Sequence, residues 1–336
     1  MTTFNGFLRS TNAALNRMER AHNQRVRRAA QIEKIRQKQE MLENAAQVVQ
    51  RYNELVEVLT SVHKQDVEAI DWQSIYMEPA PSLPIRSHAR EQDAAAQLSW
   101  YQPSFFDRLF NLTEKRKKGL EAKVLKAREL DTAAFVEAET AYRKAFIEWE
   151  SMNNMADGVL DKKLKSYRDA IEHFDPFSEV QALGMSIKFL LHDNYAEASL
   201  AIQGNEVLPK QIYSLTTTGK LSTKDMPTSR FNELYQDHVC SCVLRVGREV
   251  LALLPIKFVI VNAVGDLLNP VTGRIEPQTV VSAAIFPETL ARLQFNALDP
   301  SDSMQNFKHR MGFSKNGGFR PVDPLTGDDL ECGVYR

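Results

Sequence analysis

The chain has 336 residues, with 42 Lys+Arg against 43 Asp+Glu, 43% hydrophobic residues and 25% charged ones. That balance excludes a wholly disordered chain and a collagen-like repeat, and three cysteines (Cys240, Cys242, Cys332) are too few for a disulfide scaffold. No apolar run approaches the roughly 18–20 residues of a membrane helix, and residues 1–20 lack the apolar core of a signal peptide. A cytoplasmic protein without integral membrane association is expected.

The near-neutral total conceals an asymmetry. Residues 1–51 carry ten basic and four acidic side chains, so this segment stands at +6 and, with the chain at −1, the remainder at −7. A basic arm of this kind points to a polyanionic partner or to acidic surface elsewhere in the protein.

From Gln24 to about Lys64 there is no Gly or Pro, and Ile35, Leu42, Val49 and Val56 recur every seven residues with Ala45, Tyr52 and Leu59 between them. This is the a/d pattern of a coiled-coil seam. A helix of about 40 residues, roughly 60 Å long, needs a partner helix. Residues 71–103 then hold Pro79, Pro81, Pro84 and Pro103, a linker. Ser104 with Asp107 three residues on reads as a capping box opening a second long helix, to about Met155, in which Phe135, Tyr142 and Trp149 sit seven apart. The short, proline-stiffened linker favours an antiparallel hairpin of the two helices over a parallel dimer, although self-association or a partner protein through the coiled coil fits the same seam.

After Phe174-Asp175-Pro176 the period changes. Strands are expected at 187–191 and 198–202, 211–215 and 220–223, then a helix from Ser229 to Leu254 closed by Pro255. A nearly continuous apolar strand follows at 258–264, with a neighbour at 279–285 and helices from Glu288 and from Asp302 to Arg310. The fold class is α+β: a helical coiled-coil hairpin followed by a compact mixed domain. The expected division is a basic arm and first helix (1–70), a Pro-containing linker (71–103), a second long helix with a short continuation (104–175), the α+β domain (176–313) and an irregular tail (314–336).

Leu234-Tyr235-Gln236-Asp237-His238-Val239-Cys240-Ser241-Cys242-Val243-Leu244-Arg245-Val246 resembles segments of an uncharacterised bacterial protein family. So do Val264-Gly265-Asp266-Leu267-Leu268-Asn269, Leu298-Asp299-Pro300-Ser301-Asp302 and Val58-Leu59-Thr60-Ser61-Val62-His63-Lys64. The resemblance, over about residues 50–325, implies a coiled-coil-plus-α+β architecture and a bacterial setting, with no catalytic residue to carry over.

Residues able to do chemistry are few. Cys240-x-Cys242 cannot close on one ion, since residues two apart on a helix point about 200° apart. His238 and Cys242, four apart on one face, are spaced as a thiolate–imidazolium pair would be, but that face is the apolar one. Helix, strand, Asp266 and second strand are similar to part of the PD-(D/E)xK nuclease core. The Glu-x-Lys of that family is missing, with Glu276 lying before the second strand and no Lys after it. His192-Asp193 with Asp237-His238 would make a metal site only if the fold joined them. No metal or cofactor site is expected, and no phosphate loop or serine elbow is present.

Two basic patches bear on nucleic acid: Arg20, Arg25, Arg27, Arg28 and Lys34 on the arm, and Lys115-Arg116-Lys117-Lys118 at the start of the second helix. The function expected is that of a non-enzymatic scaffold or interaction protein whose α+β domain binds a partner, in bacterial defence or stress response. The alternatives are nucleic-acid binding through the basic helix and a degenerate nuclease-like hydrolase.

Overall fold

The computed structural model describes residues 34, 36, 38, 40–182, 185–202 and 207–331. Most of the basic arm, including Arg20, Arg25, Arg27 and Arg28, lies outside the described residues. The fold is mixed α+β, and the chain forms two compact units.

The first unit comprises residues up to Glu68, Pro176–Ala252 and Ile256 onward. Its sheet has the order β1-β2-β5-β6-β7-β8, from β1 (Ser186–Leu191), β2 (Tyr195–Ile202), β5 (Phe258–Asn269), β6 (Arg274–Ile285), β7 (Lys308–Ser314) and β8 (Gly318–Arg320). Only the β2–β5 pairing is parallel among these strands. Between β2 and β5 the chain inserts a separate hairpin of β3 (Gln211–Leu215) and β4 (Leu221–Asp225), then α8 (Thr228–Leu253). A parallel pair requires such a crossover, and a helix supplies it.

The β1–β2 hairpin, the β3–β4 hairpin and α8 lie where the periodicity placed them. Several expectations need correction. The apolar strands at 258–264 and 279–285 run on as a longer hairpin, β5 to Asn269 and β6 from Arg274, with a bulge at Ala263/Val264 and a turn at Gly273 (φ +67°). Past the bulge the strands leave the core, so burial no longer marks them. The expected helix Asp302–Arg310 is a 3₁₀ turn, Asp302–Asn306, that passes into β7, whose Arg310 pairs with Ser282. The tail is also tied down. Leu325 and Leu330 pack on Ile260 and Ala284, and Ser282 Oγ donates to Asn262 Oδ1 while accepting the Leu325 N–H at 2.8 Å.

Residues 40–61 form a helix, α1, that ends in a 3₁₀ turn, Val62–Lys64. Its heptad positions are used within the unit. Leu42 packs on Gly219, which holds the β3–β4 turn at φ +78°. Tyr52 meets Tyr213 edge to face at 5.7 Å, and Leu59 is fully buried with Leu208 and Leu234.

The second unit, Ala69–Asp175 with Leu253–Pro255, is helical. The 48-residue α5 (Thr113–Leu160) is packed by α2 (Trp72–Met77), α3 (Ala89–Ser99) and α6 (Leu164–Phe174), with the short α4 (Phe105–Leu109) preceding it. The residues expected to be linker are therefore structured. Trp149 donates its indole N–H to the Glu78 carbonyl at 2.9 Å, and the Arg86 guanidinium lies over the Phe135 ring. Buried Asp131 accepts the Glu91 N–H at 2.9 Å near the start of α3. Phe135 and Trp149 of the α5 heptads, like Leu42, Tyr52 and Leu59 of those of α1, find partners inside their own unit. Among the described residues no helix is long and apolar enough to cross a membrane.

Candidate functional site

The middle of α8 is buried on all sides, which explains why its polar residues each have a structural partner. One side faces the sheet: the Cys240 thiol lies 3.9 Å from Met311 Sδ, and a Cβ on Gly247 would overlap Ile285. The other side takes the end of α1 and the chain segment after it. His238 Nδ1 donates to the Leu59 carbonyl at 2.9 Å. His63 gives its backbone N–H to Ser241 Oγ at 3.1 Å and accepts that hydroxyl at Nδ1, 2.9 Å away. Arg245 pairs with Glu249 and donates to the Gln65 carbonyl at 2.9 Å, while Arg248 donates to the His63 carbonyl and lies over the Phe295 ring at 3.9 Å.

This geometry disarms the His238/Cys242 pair. The thiol does face His238 Nδ1, at 4.0 Å, but that nitrogen carries a proton committed to Leu59 and cannot take one from sulfur. Burial also pushes the Cys242 and Cys240 thiols far up and His238 down, so the uncharged forms are the stable ones. Burial likewise lowers His63 to about 4, with Lys64 assisting and the Leu298 backbone opposing.

Asp266 and Glu276 do not form a nuclease site. Asp266 pairs with Pro277 and Leu267 with Glu276, so the two carboxylates lie on opposite faces of the hairpin. Glu276 braces the turn instead, accepting from Asn269 Nδ2 at 2.8 Å and Thr272 Oγ1 at 2.7 Å; those bonds hold its carboxyl below the usual range. His192 sits in the β1–β2 turn stacked on Tyr195 at 4.0 Å, remote from α8 in the chain and committed to that ring. Asp237 is raised to about 6 by burial, with Ser301 opposing and Asp299 adding. Among the described residues no group of three His, Cys, Asp or Glu could hold a metal ion.

The second basic patch leads to a feature that the periodicity did not single out. Lys34 is exposed on the described edge of the arm, and Lys115, Lys117 and Lys118 are exposed on the first turns of α5. Arg116 turns back to Asp107, 2.9 Å away. Asp107 is 1% exposed and organises the segment before α5. Its carboxylate accepts the Ser104 N–H at 3.0 Å and the Tyr101 hydroxyl at 3.2 Å, while its own N–H goes to Ser104 Oγ, completing the capping box. Burial pushes this carboxyl up, but those hydrogen bonds and the Arg116 charge outweigh it and hold it low.

With Asp107 turned inward, the apolar side chains of α4 turn outward. Trp100 is 83% exposed, Phe105 75%, Phe106 67%, Phe110 64% and Leu109 62%. The spacing of Phe105, Phe106, Leu109 and Phe110, an apolar strip on one turn and a half of helix, was the available signal. It reads by default as core.

The chain is thus an α+β protein whose helical unit carries at residues 100–118 an exposed apolar segment braced by Asp107, here called the tip. Compared with protein-family models, curated proteins and solved structures, the chain matches none.

Proposed function

We propose that this is a non-enzymatic interaction protein that engages its partner through the tip at residues 100–118. The carrying observation is that five large apolar side chains stand exposed on a segment whose backbone is locked by the Ser104/Asp107 box and the Asp107–Arg116 pair. Scattered apolar side chains on a surface are ordinary; a contiguous set held in fixed geometry marks a binding surface. Of the groups with catalytic potential, His238, Cys242 and Glu276 are occupied structurally, and Asp266 lies on the opposite face of the hairpin from Glu276, which supports the same reading.

A further surface favours self-association or a partner helix. Leu125, Val136 and Ile147 are exposed on α5 at intervals of eleven residues, which keeps them on one face of the helix. Nucleic-acid binding through Lys115, Lys117 and Lys118 is the competing use of the tip.

The test compares two variants in the native host and in vitro. Phe105→Ala/Phe106→Ala is expected to abolish biological activity and retention of the partner, whereas Asp266→Ala/Glu276→Ala is expected to leave both intact. The opposite pattern would return the function to the α+β unit.

A further inference from the structure

We propose that the tip is a peripheral anchor for anionic lipid bilayers, resting on the reading of residues 100–118 as the binding surface. Phe105, Phe106, Leu109, Phe110 and Trp100 enter the boundary between headgroups and acyl chains, and Lys115, Lys117 and Lys118 meet the phosphates.

Three observations carry this. The first is composition at one place: residues 104–128 hold eight basic and three acidic side chains, a net +5 directly beside the exposed apolar strip. An interfacial element needs this combination, because it inserts apolar groups about 5–10 Å deep while its cations stay among anionic headgroups. The second is distance. Lys115, Lys117 and Lys118 lie within about 8 Å of the start of α5 along its axis, a length comparable to one physiological Debye length, and only three residues separate α5 from α4. Lys123, Lys126 and Arg128 stand farther up the helix and are more strongly screened. The third is rigidity. The buried Asp107 network holds α4 with its apolar side outward before any partner arrives, so little ordering entropy is lost on binding.

Other occupants fit less well. A second copy would bring two tips of the same charge together. A nucleic acid supplies phosphate, but stacking needs rings laid flat, and Phe105 and Phe106 meet at 80° while Leu109 has no ring face. An anionic bilayer places phosphate immediately above an apolar layer, matching both halves of the tip.

The experiment is co-sedimentation of the full chain with vesicles of phosphatidylcholine alone and of phosphatidylcholine with phosphatidylserine, at low and physiological salt. Salt-sensitive binding to the anionic vesicles is expected, with a blue shift of tryptophan emission that disappears in Trp100→Phe. Each lysine near an anionic surface contributes about fivefold, so Lys115→Gln/Lys117→Gln/Lys118→Gln weakens binding by about 100-fold. Phe105→Ala/Phe106→Ala weakens it by at least about tenfold. Circular dichroism checks folding of every variant, and the lysine variant, altered at exposed positions alone, decides the matter if the phenylalanine variant unfolds. Equal binding to both vesicle types, or undiminished binding by the lysine variant, overturns the proposal. Absence of vesicle binding alongside tip-dependent retention of a nucleic acid, a protein or a second copy overturns the lipid assignment and keeps the tip as the binding surface. Loss of every tip-dependent interaction overturns both.

Discussion

Ser241→Ala isolates the joint between α8 and the segment that follows α1. Ser241 and His63 are both fully buried, and the single hydroxyl serves two groups of His63: it accepts the backbone N–H at 3.1 Å and donates to the ring Nδ1 at 2.9 Å. Alanine leaves a buried donor and a buried acceptor without their partner. Each such group costs about 1–3 kcal/mol, and removing one oxygen creates too small a space for a water to replace it, so a loss of about 2–4 kcal/mol is expected. Urea unfolding followed by circular dichroism measures it as a fall in midpoint at constant slope, because the surface exposed on unfolding is unchanged. Amide exchange at His63 should rise in step, since its N–H has lost its acceptor. A loss below about 0.5 kcal/mol with unchanged exchange at His63 would refute the reasoning and mean that the segment is held by Arg245 and Arg248 instead.

Acid should destabilise the first unit: the folded His63 ring stays neutral to about 4 while the unfolded chain takes a proton below 6.5, so stability falls as the pH drops through that window and levels off beneath it. The whole shift corresponds to a loss of about 3 kcal/mol at most, and relaxation of the surroundings around the charged ring reduces the expectation to about 1–2 kcal/mol. Asp237, raised from 3.8 to about 6, has the opposite sign, its stabilisation being lost as the pH rises through that range, so Asp237→Asn should steepen the acid loss seen in pH-dependent urea titrations. Thiol titration should find Cys240 and Cys242 inert in the folded protein and reactive in denaturant, because both are buried with their thiols pushed up. Gly158→Ala should destabilise the helical unit by about 1–3 kcal/mol in thermal melts despite alanine's higher helix propensity, since the new Cβ would overlap Ser166 of α6. Asp107→Asn should leave α5 intact but loosen residues 101–112, read as faster amide exchange there, because the amide nitrogen cannot accept what the lost carboxylate oxygen did.

How much of the fold was legible depends on whether a neighbour in sequence or a distant segment decides each element. The Ser104/Asp107 box, the bounds of α8 at Pro255 and the β1–β2 hairpin rest on local chemistry and stand in the structure, although the box opens the five-residue α4, and the long helix expected from it starts only at Thr113, after Asn111 at positive φ. Lys308–Arg310 reads as helix after the Asp302 turn, yet pairs with Ser282–Ala284, some 25 residues back along the chain, and that pairing overrides the local signal. Heptads have the same weakness. Leu42, Tyr52 and Leu59 state that one stripe of α1 is covered, without saying by what; the β3–β4 hairpin and the start of α8 cover it as well as a helix would. Gly273 at positive φ makes the turn of the long hairpin, but strands beyond the core lose the apolar run that would mark them.

The functional residues diverge for a sharper reason. Spacing can bring His238 within reach of Cys242, and it does, but which ring nitrogen holds the proton is set by the Leu59 carbonyl, 179 residues away in the chain. No local motif encodes that bond, so a pattern competent for nucleophilic chemistry and a buried structural histidine are indistinguishable before the fold is known. At the tip the ambiguity runs the other way. Phe105, Phe106, Leu109 and Phe110 form a strip that any reading assigns to a core, and the residue that turns them outward is the acidic one among them. Asp107 is both the third helical residue of a capping box and the ion partner of Arg116, nine residues on, and satisfying both obliges it to point inward. Once the carboxylate is buried, helical geometry places the apolar strip in solvent beside the lysines of α5. The inward charge and the outward aromatics are therefore one arrangement, and the exposed tip follows from how Asp107 is paired.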